Sequence, residues 1–157
     1  MSNDAHHAHV TMVSATIHAG GRATMYRRAG VGATVLLLSH HSVNALEQLV
    51  WALTRRFRVI VTCADAAPLE FTSWLADFFD GLGLHRAVIV TSAEQSAAVA
   101  EFAVLYPDRV RLIVTLGPST LRDQESDHSA IVHRVFLDES VPDRTRNVIR
   151  VIDDRQD

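Results

Sequence analysis

The sequence predicts an α/β protein built on a doubly wound, mostly parallel sheet that is entered through an N-terminal β-hairpin. Three observations carry this. Val10–His18 and Arg22–Arg28 flank Ala19-Gly20-Gly21, a hairpin turn in which glycine supplies the positive φ angles. Short continuous apolar runs, Thr34–Leu38 foremost, have the character of strands buried on both faces. Helical periods separate those runs, and strand–helix alternation after a hairpin builds a parallel sheet with right-handed crossovers.

Taken in order, residues 1–9 read as a flexible tail and 10–157 as one domain. After the hairpin, Gly30-Val31-Gly32 is a turn and Thr34–Leu38 a strand. Ala45–Arg55 sets Leu46, Leu49, Val50 and Leu53 on one helical face, and Arg58–Thr62 is the next buried strand. Phe71–Leu82 is the clearest helix, with Phe71, Trp74, Leu75, Phe78, Phe79 and Leu82 on one face and Asp80-Gly81 near its stop. Ala87–Val90 follows as a strand, Glu94–Leu105 as a helix, and Arg111–Leu116 as a strand. Beyond Pro118 a polar loop leads to a strand within Ile131–Leu137. Thr145–Asp153 fits neither a helical nor a strand period cleanly, and the charges of Asp143–Asp157 read as a solvated face or frayed end.

Bulk properties narrow the function. The 157 residues are 48% hydrophobic and 21% charged, the balance of a soluble globular domain. All fifteen basic residues are arginine, yet the net charge is −3, so no nucleic-acid footprint is present. No apolar run approaches the roughly 20 residues that span a bilayer, and the polar, His-rich N-terminus is not a secretory signal. One cysteine, Cys63, excludes an intrachain disulfide and suits a reducing, cytoplasmic setting.

The order of these pieces resembles the N-terminal two-thirds of an α/β-hydrolase of the esterase, lactonase and haloperoxidase-like type, over about residues 10–117. Tyr26-Arg27-Arg28-Ala29-Gly30 and Thr34–His41 resemble the strand leading into that family's His-Gly oxyanion loop. Arg56–Val61 resembles the strand that ends at an Asp before a Gly-x-Gly turn. Leu82 to Val110, which ends in Tyr106-Pro107-Asp108-Arg109-Val110, resembles the nucleophile elbow with both flanks.

The departures fall on the chemistry. Where the family's elbow reads Gly-x-Ser-x-Gly-Gly, this chain has Thr91-Ser92-Ala93-Glu94-Gln95-Ser96. Alanine replaces the nucleophile and the glycines are gone, so the strained turn is expected to be relaxed. The oxyanion loop is about two residues short and carries His40-His41 near the Gly position; Cys63 replaces the Asp, and Ala64–Leu69 is contracted. The resemblance implies a shortened core without a lid, with Asp138, Glu139 or Asp143 near the old acid position. The last histidine is His133, so no Ser-His-acid triad in the family's order can be assembled.

Each candidate has a plainer alternative. Ser92 is presented by a one-residue shift of the turn, or bonds locally as a turn residue. His40 and His41 contact a ligand at the head of the sheet, or face solvent. Cys63 is a nucleophile, or a small core hydrophobe without an activating partner. Trp51 and Trp74 read as helix residues packed on the sheet. His6, His7 and His9 lack the carboxylate or cysteine support of a metal site, so none is expected. Gly30-Val31-Gly32 precedes its strand, unlike a dinucleotide loop, and no cofactor is expected.

The expected function is therefore non-hydrolytic: a small-ligand-binding or protein-interaction scaffold, with no confident catalytic residue. The expected ligand contacts are Ser39, His40, His41, Cys63, Ser92, Ala93 and Glu94. The alternative is a small enzyme with repurposed acid–base chemistry, esterase-like, lyase or cyclase, using Ser92, His40, His41 or a carboxylate. A sheet without the family's final strands exposes an edge, which predicts a homodimer or protein partner on its C-terminal side.

Overall fold

The computed structural model describes residues 11–39, 47–63, 66, 69–117, 134–137 and 144–154. They form one seven-stranded sheet: β1 (Val13–Ala19), β2 (Arg22–Ala29), β3 (Thr34–Ser39), β4 (Arg58–Cys63), β5 (Ala87–Ser92), β6 (Val110–Leu116) and β7 (Arg134–Leu137). The spatial order is β1-β2-β4-β3-β5-β6-β7. The hairpin β1–β2 is antiparallel and joins β4 antiparallel; β4, β3, β5, β6 and β7 are parallel to one another. The helices are α1 (Glu47–Thr54), α2 (Phe71–Leu82), α3 (Ser96–Leu105) and α4 (Arg144–Asp153). The expected tail of residues 1–9 lies outside the described residues.

Alternation along the buried strands divides the core in two. Leu36, Ile60, Ile89 and Ile113 face α2 and α3, against Phe71, Trp74, Phe78, Phe79 and Phe102. Val35, Leu37, Val59, Val61, Val88, Val90, Leu112 and Val114 face α1 and α4. Every strand from β3 to β6 thus buries both faces, which is why its sequence is a continuous apolar run.

One expectation changes and two gain detail. Helix α2 runs over the expected Phe71–Leu82, with Asp80-Gly81 near its stop. Gly83 closes the helix at φ 64°, its N–H reaching the Asp80 carbonyl while the Leu84 N–H bonds the Phe79 carbonyl. Gly81 lies inside the helix, where a Cβ would come within 3.1 Å of Ile17 Cδ1; its missing side chain lets the hairpin approach. Residues 144–153 are a helix, with Val148 and Ile152 one turn apart and buried, and Ile149 and Val151 half-buried beside them. Trp74 is buried and its indole N–H donates to Thr24 Oγ1 at 3.1 Å, but Trp51 does not pack on the sheet. It is 37% exposed, with the Arg55 guanidinium 4.8 Å above its ring.

Candidate functional site

Strand order reverses at β3. The chain leaves β3 towards β4 on one side, then crosses back to β5 and β6 on the other. In an open parallel sheet such a switch leaves a crevice outside the carboxyl ends of the strands, where no crossover closes over both neighbours. Ser39 and Cys63 are register partners and end β3 and β4. Leu37 pairs with Val90, so two residues further on β5 ends at Ser92 level with Ser39. The fold therefore brings Ser39, Cys63 and Ser92 to the ends of three adjacent strands, with Ala93 and Glu94 directly after.

The passage out of β5 uses ordinary backbone. Ser92 is extended at φ −77° and ψ 161°, Ala93–Gln95 make one 3₁₀ turn, and α3 begins at Ser96. Among the described residues no non-glycine residue has positive φ, so Ala93 is not held in the strained conformation of a displayed nucleophile. Without that strain the turn needs no flanking glycine. Gln95 and Ser96 are instead buried beneath it, together with Thr91 and Thr115 from the facing strand pair.

Ser92 does not behave as a locally bonded turn residue. Its Oγ is buried and has no hydrogen-bond partner among the described residues. Thr91 Oγ1 reaches only the Ser92 carbonyl, at 3.4 Å. Cys63 is exposed and is therefore not a core hydrophobe. Ala93 is half-buried and Glu94 exposed at the head of α3, where a carboxylate is favoured by the helix dipole. His40, His41, Asp138, Glu139 and Asp143 lie outside the described residues. The two described histidines are elsewhere: His18 on edge strand β1, and His85 ahead of β5 at the opposite end of the sheet. No group of three metal-ligating side chains comes together among the described residues. No described helix is long and apolar enough to cross a membrane. The sequence alone did not point to Thr91 and Thr115, because threonine within a buried strand reads as one more β-branched residue.

Solved structures share this architecture. An epoxide hydrolase from Vigna radiata superposes with a TM-score of 0.58 at 17% identity, over 68% of this chain and 41% of its own. A serine hydrolase involved in carbazole degradation gives 0.61 at 21% identity, over 71% of this chain and 51% of its own. The chain has an α/β-hydrolase fold. A potato epoxide hydrolase variant gives 0.61 at 13% identity, over 69% and 40%. This α/β-hydrolase-fold chain thus corresponds to about half or less of the length of those enzymes. No protein-family model matches the sequence, and no curated protein matches it.

Proposed function

We propose that this α/β-hydrolase-fold protein binds a small ligand at the carboxyl ends of β3, β4 and β5 and does not hydrolyse by a serine mechanism. The observation that supports this most is the relaxed turn at Ser92–Gln95: alanine stands at the nucleophile position on backbone that displays nothing. Acyl transfer needs a nucleophile raised above the sheet and a base within hydrogen-bond reach. Ser92 has no such base among the described residues, since its Oγ is unpartnered.

What the turn offers is recognition. A buried hydroxyl without a partner loses about 1–3 kcal/mol of hydrogen bonding unless a ligand or water supplies it. Ser92 Oγ, on the strand end two strands from the exposed Cys63 and two residues before the exposed Glu94, is offered to a ligand with a hydrogen-bonding group. The test combines short p-nitrophenyl esters, a fluorophosphonate probe and native mass spectrometry. The expected result is no turnover, no labelling and a retained small molecule. Turnover abolished by Ser92→Ala would instead establish the repurposed enzyme.

Self-association over the β7 side belongs to the same proposal. Among the described residues β7 pairs only with β6, and an open edge strand favours a partner. Light scattering at micromolar concentration is expected to give a dimer, and a strict monomer would remove this part of the reading.

A further inference from the structure

The end of the sheet remote from Ser92 holds a second feature. The parallel strands β4, β5 and β6 each enter next to arginine: Arg58, Arg86, and Arg109 with Arg111. Because the strands are parallel, these arginines gather along one edge. Several of that end's arginines are engaged, Arg111 among them. Arg109 bonds Asp80 and the Ala76 carbonyl, and Arg56 holds Asp153 of α4. Arg86 is different: it is exposed and has no hydrogen bond or ion pair among the described residues. It stands with Arg111 at a cleft of about 100 Å³ whose walls are Val35, Phe57, Val88 and Ile152. Among the described residues no carboxylate lines this cleft, and the nearest acid in sequence to its α4 side, Asp153, is turned to Arg56.

We propose that this amino-end cleft is a binding site for a short-chain carboxylate, with Arg86 as the principal anchor. A guanidinium matches a carboxylate in a two-pronged, charge-assisted geometry that ammonium does not reproduce. Val35, Phe57, Val88 and Ile152 are each 4% exposed or less and give the hydrocarbon portion a shallow apolar floor, and the volume, below the roughly 150 Å³ of a cavity that holds benzene, limits that portion to a few carbons. Arg111, from the neighbouring strand, adds positive potential while keeping its existing interaction. The site does not depend on the reading of Ser92, since the two lie at opposite ends of β5.

Titration of the ¹⁵N-labelled full chain with butyrate, butan-1-ol and inorganic phosphate tests it. Butyrate is expected to shift the amides of Val35, Val88 and Arg111 saturably, with Kd of about 1 mM, the range open to so small a ligand. Arg86→Ala should weaken butyrate about tenfold, and Arg86→Lys should recover only part of it. The variant removes an exposed side chain, so its amide spectrum is expected to report an intact fold. Butyrate binding unchanged in Arg86→Ala, or no saturable shift, overturns the site. Equal binding of butan-1-ol overturns the role of the charge, and tighter binding of phosphate overturns the carboxylate as its ligand.

Discussion

Among the described residues, the two ends of the parallel sheet show different fastenings. At the amino end the connections are fastened by backbone and charge together. The Arg58 N–H bonds the Ala33 carbonyl at 3.0 Å, and the Ala87 N–H bonds the Arg109 carbonyl at 2.9 Å. Arg109 ties α2 to the entry of β6 and lies 5.3 Å from the Tyr106 ring. At the carboxyl end, Ser92 Oγ is unpartnered and Cys63 is open to solvent. Where the backbone is unstrained and a side chain such as Ser92 has no partner among the described residues, a substitution costs the fold little. Ala93 sits there on ordinary backbone, in a turn that needs no glycine.

Substitutions at the two ends should therefore differ in size. The largest effect is expected at Gly30, at φ +80°, where a Cβ would lie 2.1 Å from the Phe57 carbonyl oxygen and 2.8 Å from that of Thr54. Both obstacles are backbone, so Gly30→Ala should cost about 3 kcal/mol or more and lower Tm by about 10 °C in calorimetry. A loss under about 1 kcal/mol would show that the amino end yields as readily as the other. Arg109→Ala comes next, at about 1–2 kcal/mol by urea unfolding, mostly from the carbonyl bond and ring contact because Asp80 is largely exposed. Removing Arg56 breaks an exposed pair with Asp153 and should cost under about 1 kcal/mol, a difference that fades in about 1 M salt. A salt-independent loss there would mean that α4 is held by packing alone. The smallest effect belongs to the carboxyl end. Ser92→Ala deletes an unpartnered hydroxyl and should leave stability within about 0.5 kcal/mol of the parent, or raise it. A loss above about 1 kcal/mol would falsify the contrast.

The sequence shows these two ends with unequal clarity, for physical reasons. Strands buried on both faces leave continuous apolar runs, so β3 to β6 and the aromatic face of α2 are legible residue by residue. The absent elbow serine and glycines are equally plain, since φ > 0 demands glycine and a nucleophile demands a side chain. Helix α4 is obscured because Val148-Ile149 and Val151-Ile152 pair half-buried residues with buried ones, blurring both periods. Trp51 misleads because a tryptophan within a helix suggests burial, while here the guanidinium four residues on covers it in the open. The amino-end cleft is invisible in the chain because Val35, Arg86 and Ile152 meet only through the strand order.

The clasp between the hairpin and α2 has a consequence for synthesis. The Gly20 N–H donates to Asp77 across 57 residues of sequence, Trp74 reaches Thr24 across 50, and Arg22 pairs with Glu70 across 48. Ile17 settles against Gly81 on the same helix. On a ribosome adding about 5–20 residues per second, the first strands emerge several seconds before the helix that receives them. Within that interval β3 and β4 also emerge, and β4 pairs with β2, so the hairpin gains a sheet neighbour before α2 covers its face. The face of the hairpin that packs on α2 therefore stays uncovered until Phe71–Leu82 has been made.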